Sequence, residues 1–76
     1  MKTRRVTFPI DDLGYGGEGM LIIKRALSVT PGVVRVYVNT ATEMVYIEFD
    51  PVLSDPDSLV KVVEHAGFHA GLPSLR

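Results

Sequence analysis

The segment with the clearest potential for chemistry spans residues 11–20 and reads DDLGYGGEGM. Its acidic residues and glycines are Asp11, Asp12, Glu18, Gly14, Gly16, Gly17 and Gly19. Three of the glycines have the G-x-G-x-x-G spacing that lets a backbone approach a phosphate in dinucleotide-binding units. The carboxylates are oxygen donors of the kind that hard cations such as Mg²⁺ and Ca²⁺ prefer. The segment therefore has two chemical interpretations, a phosphate cradle and a cation loop.

Charge and chain length argue against the phosphate interpretation. The carboxylates of this loop would repel a pyrophosphate, and 76 residues with a hairpin in the middle cannot form a doubly wound dinucleotide-binding sheet. The cation interpretation competes with a simpler one, in which an acidic loop is solvated and binds nothing. We therefore expect no cofactor and no resident metal ion, and we keep Asp11, Asp12 and Glu18 only as alternative ligands.

Two histidines, His65 and His69, are the other alternative ligands. Their spacing of four residues would place them on one face of a helix, as in a paired-histidine zinc site. Gly67 lies between them and is expected to end the helix in a left-handed conformation, so the spacing loses this meaning. The chain offers no cysteine nucleophile and no recognisable serine–histidine spacing, so no catalytic site is predicted.

The totals of the chain exclude several further classes of function. A length of 76 residues favours a single domain over residues 1–76, and the lack of cysteine excludes thiolate metal sites. The net charge of −1 predicts no broad attraction to nucleic acid or anionic lipid. No apolar run approaches the roughly 20 residues of a membrane span, so no membrane insertion is expected. The twin arginine in MKTRRVTF is not followed by the apolar stretch of an export signal, which favours a cytoplasmic location.

Apolar periodicity predicts the elements that position these residues. Period-two alternation, typical of strands with one buried face, occurs in residues 6–10, 33–39 and 43–50. Helical spacing predicts a first helix from Glu18 to about Thr30 and a second that follows the cap Asp55 and ends at Gly67. A short last strand is expected within residues 68–72. This order predicts an α+β, ferredoxin-like βαββαβ sandwich, with two helices on one face of a four-stranded antiparallel sheet.

Two long segments carry a resemblance to a known family. KRALSVTPGVVRVYVNTATEMVYIEFDP (residues 24–51) and SDPDSLVKVVEHAGF (residues 54–68) resemble the heavy-metal-associated domain. The matching features are Ala26-Leu27, Pro31-Gly32-Val33, Val36/Val38/Asn39, Phe49-Asp50-Pro51 and Ala66-Gly67-Phe68. That family includes small copper and mercury chaperones and the N-terminal modules of metal-pumping P-type ATPases. The resemblance covers roughly Val6 to Gly71 and implies the ferredoxin-like fold.

The resemblance also gives the glycine segment a meaning. In the family this loop reads G-M-x-C-x-x-C, and its two thiolates bind soft ions such as Cu(I). Counting back from Pro31 places the two cysteine positions at Gly16 and Gly19, which have no side chain to replace the ligands. The resemblance therefore implies a degenerate metal loop in a protein-interaction or regulatory module that binds no metal. The alternative is a metal-trafficking protein whose ligands are the carboxylates and histidines named above.

The first helix is predicted to carry more apolar residues than one buried face requires. With Met20, Ile23 and Leu27 turned inward, a rotation of 100° per residue places Ile22 and Val29 away from the core. Leu21 widens this apolar face toward the loop, where Tyr15 stands nearby. We expect Tyr15, Leu21, Ile22 and Val29 to form a docking surface for a protein partner or a second copy of the chain.

A further alternative concerns the sheet face that the helices leave open. Tyr37 and Tyr46 are predicted to lie on that face, where their rings could stack on the bases of single-stranded RNA. Only Arg35 is expected beside them, and Glu48 opposes it. Together with the net charge, this local balance predicts no nucleic-acid partner.

Overall fold

The computed structural model of this chain describes residues 2–11 and 18–75. The elements within those residues are β1 (Arg4–Asp11), α1 (Glu18–Ser28), β2 (Val33–Asn39), β3 (Met44–Phe49), α2 (Pro56–His65), β4 (His69–Ala70) and β5 (Ser74–Leu75). Their order confirms the predicted βαββαβ arrangement and adds one strand, β5, at the end. Neither helix in the described residues is long and apolar enough to cross a membrane.

The strands form one antiparallel sheet in the order β2-β3-β1-β4, and β5 also pairs with β1. The predicted fold class is confirmed, and the sheet has a fifth strand because two short strands share the edge beside β1. Ala70 of β4 faces Ile10, whereas Ser74 of β5 faces Thr7. Three residues lie between Ala70 and Ser74 on this edge, but only two lie between Ile10 and Thr7 on β1. The extra residue divides the edge strand into two short pieces.

A close approach at Gly71 explains how the split edge stays attached to β1. The Gly71 N–H donates a hydrogen bond of 2.8 Å to the carbonyl oxygen of Pro9. A Cβ atom at position 71 would overlap the ring of Pro9, so any larger residue would push the edge away. Glycine at this position therefore lets β4 and β5 follow one neighbour despite the extra residue.

One face of the sheet and both helices form the hydrophobic core. The fully or nearly fully buried apolar residues are Val6, Phe8, Ile10, Ile23, Leu27, Val38, Val45, Ile47, Phe49, Leu59 and Val63. The alternation predicted for β1 and β3 is confirmed, because their core residues recur at every second position. Met20, predicted to face inward, packs against this core from α1. Thr7 is buried although the alternation turns it outward, and its Oγ1 donates to the Val45 carbonyl oxygen at 2.9 Å.

The start of β2 differs from the predicted alternation. The register with β3 shifts between Val33 and Arg35, which makes Val34 the extra residue of a β-bulge. Val34 was expected to face the core with Val36 and Val38, but the bulge leaves 48% of it exposed. From Arg35 onward the alternation is regular, and Arg35 and Tyr37 lie on the outward face.

The helix boundaries follow from their capping residues. Asp55 caps α2, because its Oδ1 accepts a hydrogen bond of 2.8 Å from the Ser58 N–H, and Pro56 takes the first helical position. Gly67 has a φ of 101°, the left-handed conformation predicted for it. The first helix ends at Ser28, earlier than the predicted Thr30. Pro31 disfavours a helical conformation at the residue before it, which accounts for the earlier end.

Candidate functional site

The degenerate metal loop lies mostly outside the described residues. The predictions for Asp12, Tyr15 and Gly16 fall in residues 12–17, which the structure does not describe. Gly19, the second of the two positions predicted to correspond to a family cysteine, is buried in the first turn of α1. Glu18 is exposed at the start of the same helix, which begins where the sequence predicted. The described residues of this segment therefore offer two carboxylates, Asp11 and Glu18, and no cysteine.

The alternative ligands are separated by the fold, except for one pair. Asp11 at the end of β1 and His69 in β4 are direct partners in the sheet register, and both are exposed. His65 is the last residue of α2, and the turn at Gly67 separates it from His69 as the sequence predicted. Within residues 2–11 and 18–75, no three acidic or histidine side chains are grouped closely enough to hold a metal ion. Among the described residues, Asp11 and His69 are thus the one pair of alternative ligands that the sheet register places side by side.

The outward face of α1 is apolar, as its rotation predicted. Leu21 is 61% exposed, Ile22 is 50% exposed and Val29, just past the helix end, is 76% exposed. Together with Glu18, Arg25 and Ala26 they line one continuous shallow depression, which we call the α1 surface. Inward, the same helix buries Ile23 and Leu27 completely. The α1 surface is therefore additional to the residues that hold the helix to the sheet.

The open sheet face contains a residue that the sequence reasoning missed. The register places Arg5 of β1 opposite Glu48 of β3, and Arg35 of β2 opposite Glu48 from the other side. The alternation alone placed Arg5 on the outward face, but it does not say which residues of other strands lie beside it. In the next row, the rings of Tyr37 and Tyr46 pack with centroids 5.8 Å apart. The face thus carries two arginines, where the sequence reasoning counted one.

Comparison with known proteins identifies the class first. Two helices on one face of an antiparallel sheet define a ferredoxin-like α+β fold, and solved structures confirm it. The N-terminal domain of a potential copper-translocating P-type ATPase from Bacillus subtilis superposes with a TM-score of 0.89, at 24% identity, over 99% of this chain and 92% of that one. The N-terminal domain of PacS from Synechocystis PCC6803 gives a TM-score of 0.74 at 27% identity, over 93% of this chain and 96% of that one.

Sequence comparison then identifies the family. Copper-transporting ATPase 1 of Mus musculus is 39% identical over 54 residues, which is 71% of this chain. The match covers only 4% of that ATPase, so the likeness concerns one small domain of a much longer protein. No protein-family model matches the chain. The fold, the aligned segments and these relatives agree with the resemblance described above: the chain belongs to the heavy-metal-associated domain family, and it contains no cysteine.

Proposed function

We propose that this heavy-metal-associated domain is a protein-interaction module that associates with a second copy of itself and carries no metal ion. The carrying observation is that a domain without cysteine presents an apolar surface on the helix that follows the degenerate loop. Glycine at positions 16 and 19 supplies no donor in place of the family's thiolates. No group of residues with catalytic spacing supports an enzymatic role, so binding is the proposed activity.

The metal-free part of the proposal is tested by a Cu(I) competition assay. Hard oxygen donors and an isolated histidine are poor ligands for Cu(I). The wild-type protein is therefore expected not to remove Cu(I) from a chelator that binds the ion with a submicromolar dissociation constant. The Gly16→Cys/Gly19→Cys variant should take the ion from the same chelator, since it restores both thiolates. A wild-type protein that competes successfully would overturn the proposal. Loss of that competition in Asp11→Asn/His69→Gln would then establish the alternative of non-cysteine ligands.

The α1 surface has the properties of a small docking site. Single exposed apolar residues are common on proteins and need no explanation. Here Leu21, Ile22 and Val29 are adjacent and surround the short side chain of Ala26. A continuous apolar area of this kind is typical of protein contacts. Glu18 lies at one end of the area and Arg25 lies along it, so the charges of the occupant are also constrained.

A second copy of α1 matches those constraints in an antiparallel arrangement. If two copies cross with Leu21 opposite Ile22 of the other copy, Glu18 comes opposite Arg25 of the other copy, and the pairing occurs twice by symmetry. The positions Glu18, Ile22, Arg25 and Val29 are spaced by four, three and four residues, which is the seam of an antiparallel helix pair. Self-association through this surface therefore buries Leu21 and Ile22 and pairs the charges.

The size of the α1 surface limits its affinity. A helix of 11 residues is about 16 Å long, and six residues line the surface, against the roughly 20–30 residues per side of a standard interface. We therefore expect a weak, concentration-dependent dimer. Sedimentation equilibrium from micromolar to millimolar protein measures it directly, and Ile22→Glu/Val29→Lys should remain monomeric throughout that range.

A charge exchange distinguishes the proposed arrangement from nonspecific apolar contact. Glu18→Arg alone or Arg25→Glu alone should weaken the dimer, because each places like charges opposite one another twice. An equimolar mixture of the two single variants should restore it, and so should the double variant, because opposite charges then face each other again. Lys61→Glu on α2 is the matched control and should leave the dimer unchanged. The proposal would be overturned if the protein stayed monomeric at every concentration. It would also be overturned if the dimer affinity of the variants did not depend on which charges face each other.

A further inference from the structure

The outward face of the sheet brings together two rows of side chains that the helices do not cover. In the first row, Glu48 of β3 lies between Arg5 of β1 and Arg35 of β2. In the second row, two residues before Glu48 on β3 and therefore on the same face, Tyr46 lies opposite Tyr37. The five side chains line one continuous depression on this face. A cationic row and an aromatic row are therefore adjacent on a surface that faces solvent.

The two guanidinium groups of this face are available to a ligand. The Glu48 carboxylate between them accepts a hydrogen bond of 2.6 Å from the Thr3 hydroxyl. Within the described residues, neither the Arg5 nor the Arg35 side chain forms a hydrogen bond or an ion pair. Two positive charges on either side of one negative charge leave a local excess, whose planar donors match the oxygen geometry of phosphate.

The aromatic row provides stacking surface beside those charges. Tyr37 is 58% exposed, and its ring is tilted by 33° against the ring of Tyr46, which is half-buried. Because Tyr46 supports one side of Tyr37, the exposed ring is held in place on the sheet. A supported and exposed aromatic ring is what base stacking requires.

The net charge of the protein does not describe this end of the sheet. Four of the eight basic residues of the chain lie here, since Lys2 and Arg4 surround a neighbouring depression together with Arg5. The net charge of −1 is an average over the whole surface, whereas association with a polyanion depends on the local field. The expectation against nucleic acid rested on that average and on a local balance in which Glu48 opposed Arg35 alone.

We propose that the outward face of the sheet is a binding site for single-stranded nucleic acid. Bases stack on Tyr37, which its neighbour Tyr46 supports, and phosphates are bound by Arg5 and Arg35. An acidic peptide would use the guanidinium groups but has no group that requires the adjacent rings. A nucleotide chain repeats a planar base and a phosphate at short intervals, so it engages both rows at once. The face lies on the side of the sheet opposite the helices, so this site is independent of the α1 surface.

Fluorescence anisotropy with labelled oligouridylate and oligodeoxythymidylate at low salt tests this site. Tyr37→Ala should weaken binding between about fivefold and 150-fold, whereas Tyr37→Phe, which keeps the ring, should bind like the wild type. The plot of log affinity against log salt should have a slope that changes by about 0.7 for each of Arg5→Gln and Arg35→Gln. A preference for one of the two oligonucleotides reports contact with the 2′-hydroxyl group of the ribose or with the methyl group of thymine, the two groups in which the probes differ.

Matched controls keep the test decisive. Lys24→Gln/Lys61→Gln removes two exposed positive charges from the helices and should leave the affinity unchanged. Circular dichroism checks that every variant is folded. Equal weakening by the helix control would show nonspecific charge attraction and overturn the proposal. Unchanged affinity in folded Tyr37→Ala, displacement by oligoglutamate as effective as by unlabelled oligonucleotide, or no measurable binding would overturn it as well.

Discussion

The two helices pack on the same sheet face in the same way, yet they present opposite surfaces to solvent. Each buries two apolar residues spaced by four positions, Ile23 and Leu27 in α1 and Leu59 and Val63 in α2. The exposed residues of α2 are all polar or charged, whereas α1 exposes Leu21 and Ile22 beside its polar residues Glu18, Lys24, Arg25 and Ser28, with Val29 just past its end. Helix α2 shows that this fold needs no apolar residue on the outside. The apolar exterior of α1 therefore requires an explanation other than packing, and docking is the one we propose.

The largest expected effect tests whether the two inward faces are equivalent. Leu27→Ala and Leu59→Ala should each lower the free energy of unfolding by about 2–5 kcal/mol, because each leaves a cavity in a fully buried site. A domain of this size has about 4–11 kcal/mol in total, so both variants should be close to unfolding. Urea denaturation followed by circular dichroism measures the loss. If one variant loses far less free energy of unfolding than the other, the two helices do not contribute equally to the core. The two helices could then not be compared as equivalent packing elements.

A smaller effect is expected at the N-terminus of α2, where Asp55 caps the helix. Asp55→Ala should lower the melting temperature at neutral pH, and Asp55→Asn should lower it less, because an amide oxygen still accepts from the Ser58 N–H.

The same cap has a defined pH dependence. The hydrogen bond from the Ser58 backbone lowers the pKa of Asp55 below its ordinary value of 3.8. A carboxylate with a depressed pKa stabilises the folded state above its ordinary pKa, and this stabilisation is lost as the pH falls through the lowered value. The wild type should therefore lose stability below pH 3.8, and Asp55→Asn should lack that part of the loss. Identical pH profiles for the two proteins would show that the cap does not act through its charge.

The smallest expected effect concerns the outward face of α1. Ile22→Glu/Val29→Lys should change the free energy of unfolding by no more than about 0.5 kcal/mol, because both side chains are at least half exposed. Lys61→Glu on α2 should behave in the same way. The measurement is a denaturation curve at a concentration where sedimentation shows only monomer. A loss well above 1 kcal/mol in the α1 variant alone would mean that this face contributes to packing, and the contrast between the helices would then have no functional meaning.

The sequence was sufficient for six of the seven elements, their order and the faces of both helices. These features were predicted from local signals: apolar periodicity, the helix cap at Asp55, and the helix ends near Pro31 and at Gly67. Each signal depends only on neighbouring residues of the chain, and the structure contains the feature that it predicts. Two features were not accessible in this way. A strand of two residues, such as β5, is shorter than one period of alternation, and a β-bulge at Val34 depends on the partner strand.

The site was less accessible than the fold. Periodicity assigns a residue to a face but not to a register, so Arg5 could be placed outward but not beside Glu48. The exposure of Leu21, Ile22 and Val29 was predictable, because it depends only on rotation about the helix axis. The positions that correspond to the family's cysteines were found by counting along aligned segments. The identity of a partner for either surface cannot be predicted from such patterns, because periodicity reports which residues are buried in the fold and not what binds to the exposed ones.

The irregular edges of the sheet have a consequence for the solubility of a domain with an apolar exterior. Unpaired strand edges are templates on which other chains add and polymerise. On one side, β4 and β5 present two residues each and are interrupted at Gly71. On the other side, β2 is longer, but its bulge at Val34 and the charge of Arg35 disturb the row of free backbone groups. Neither edge offers a long, flat ladder, so aggregation by strand addition is disfavoured.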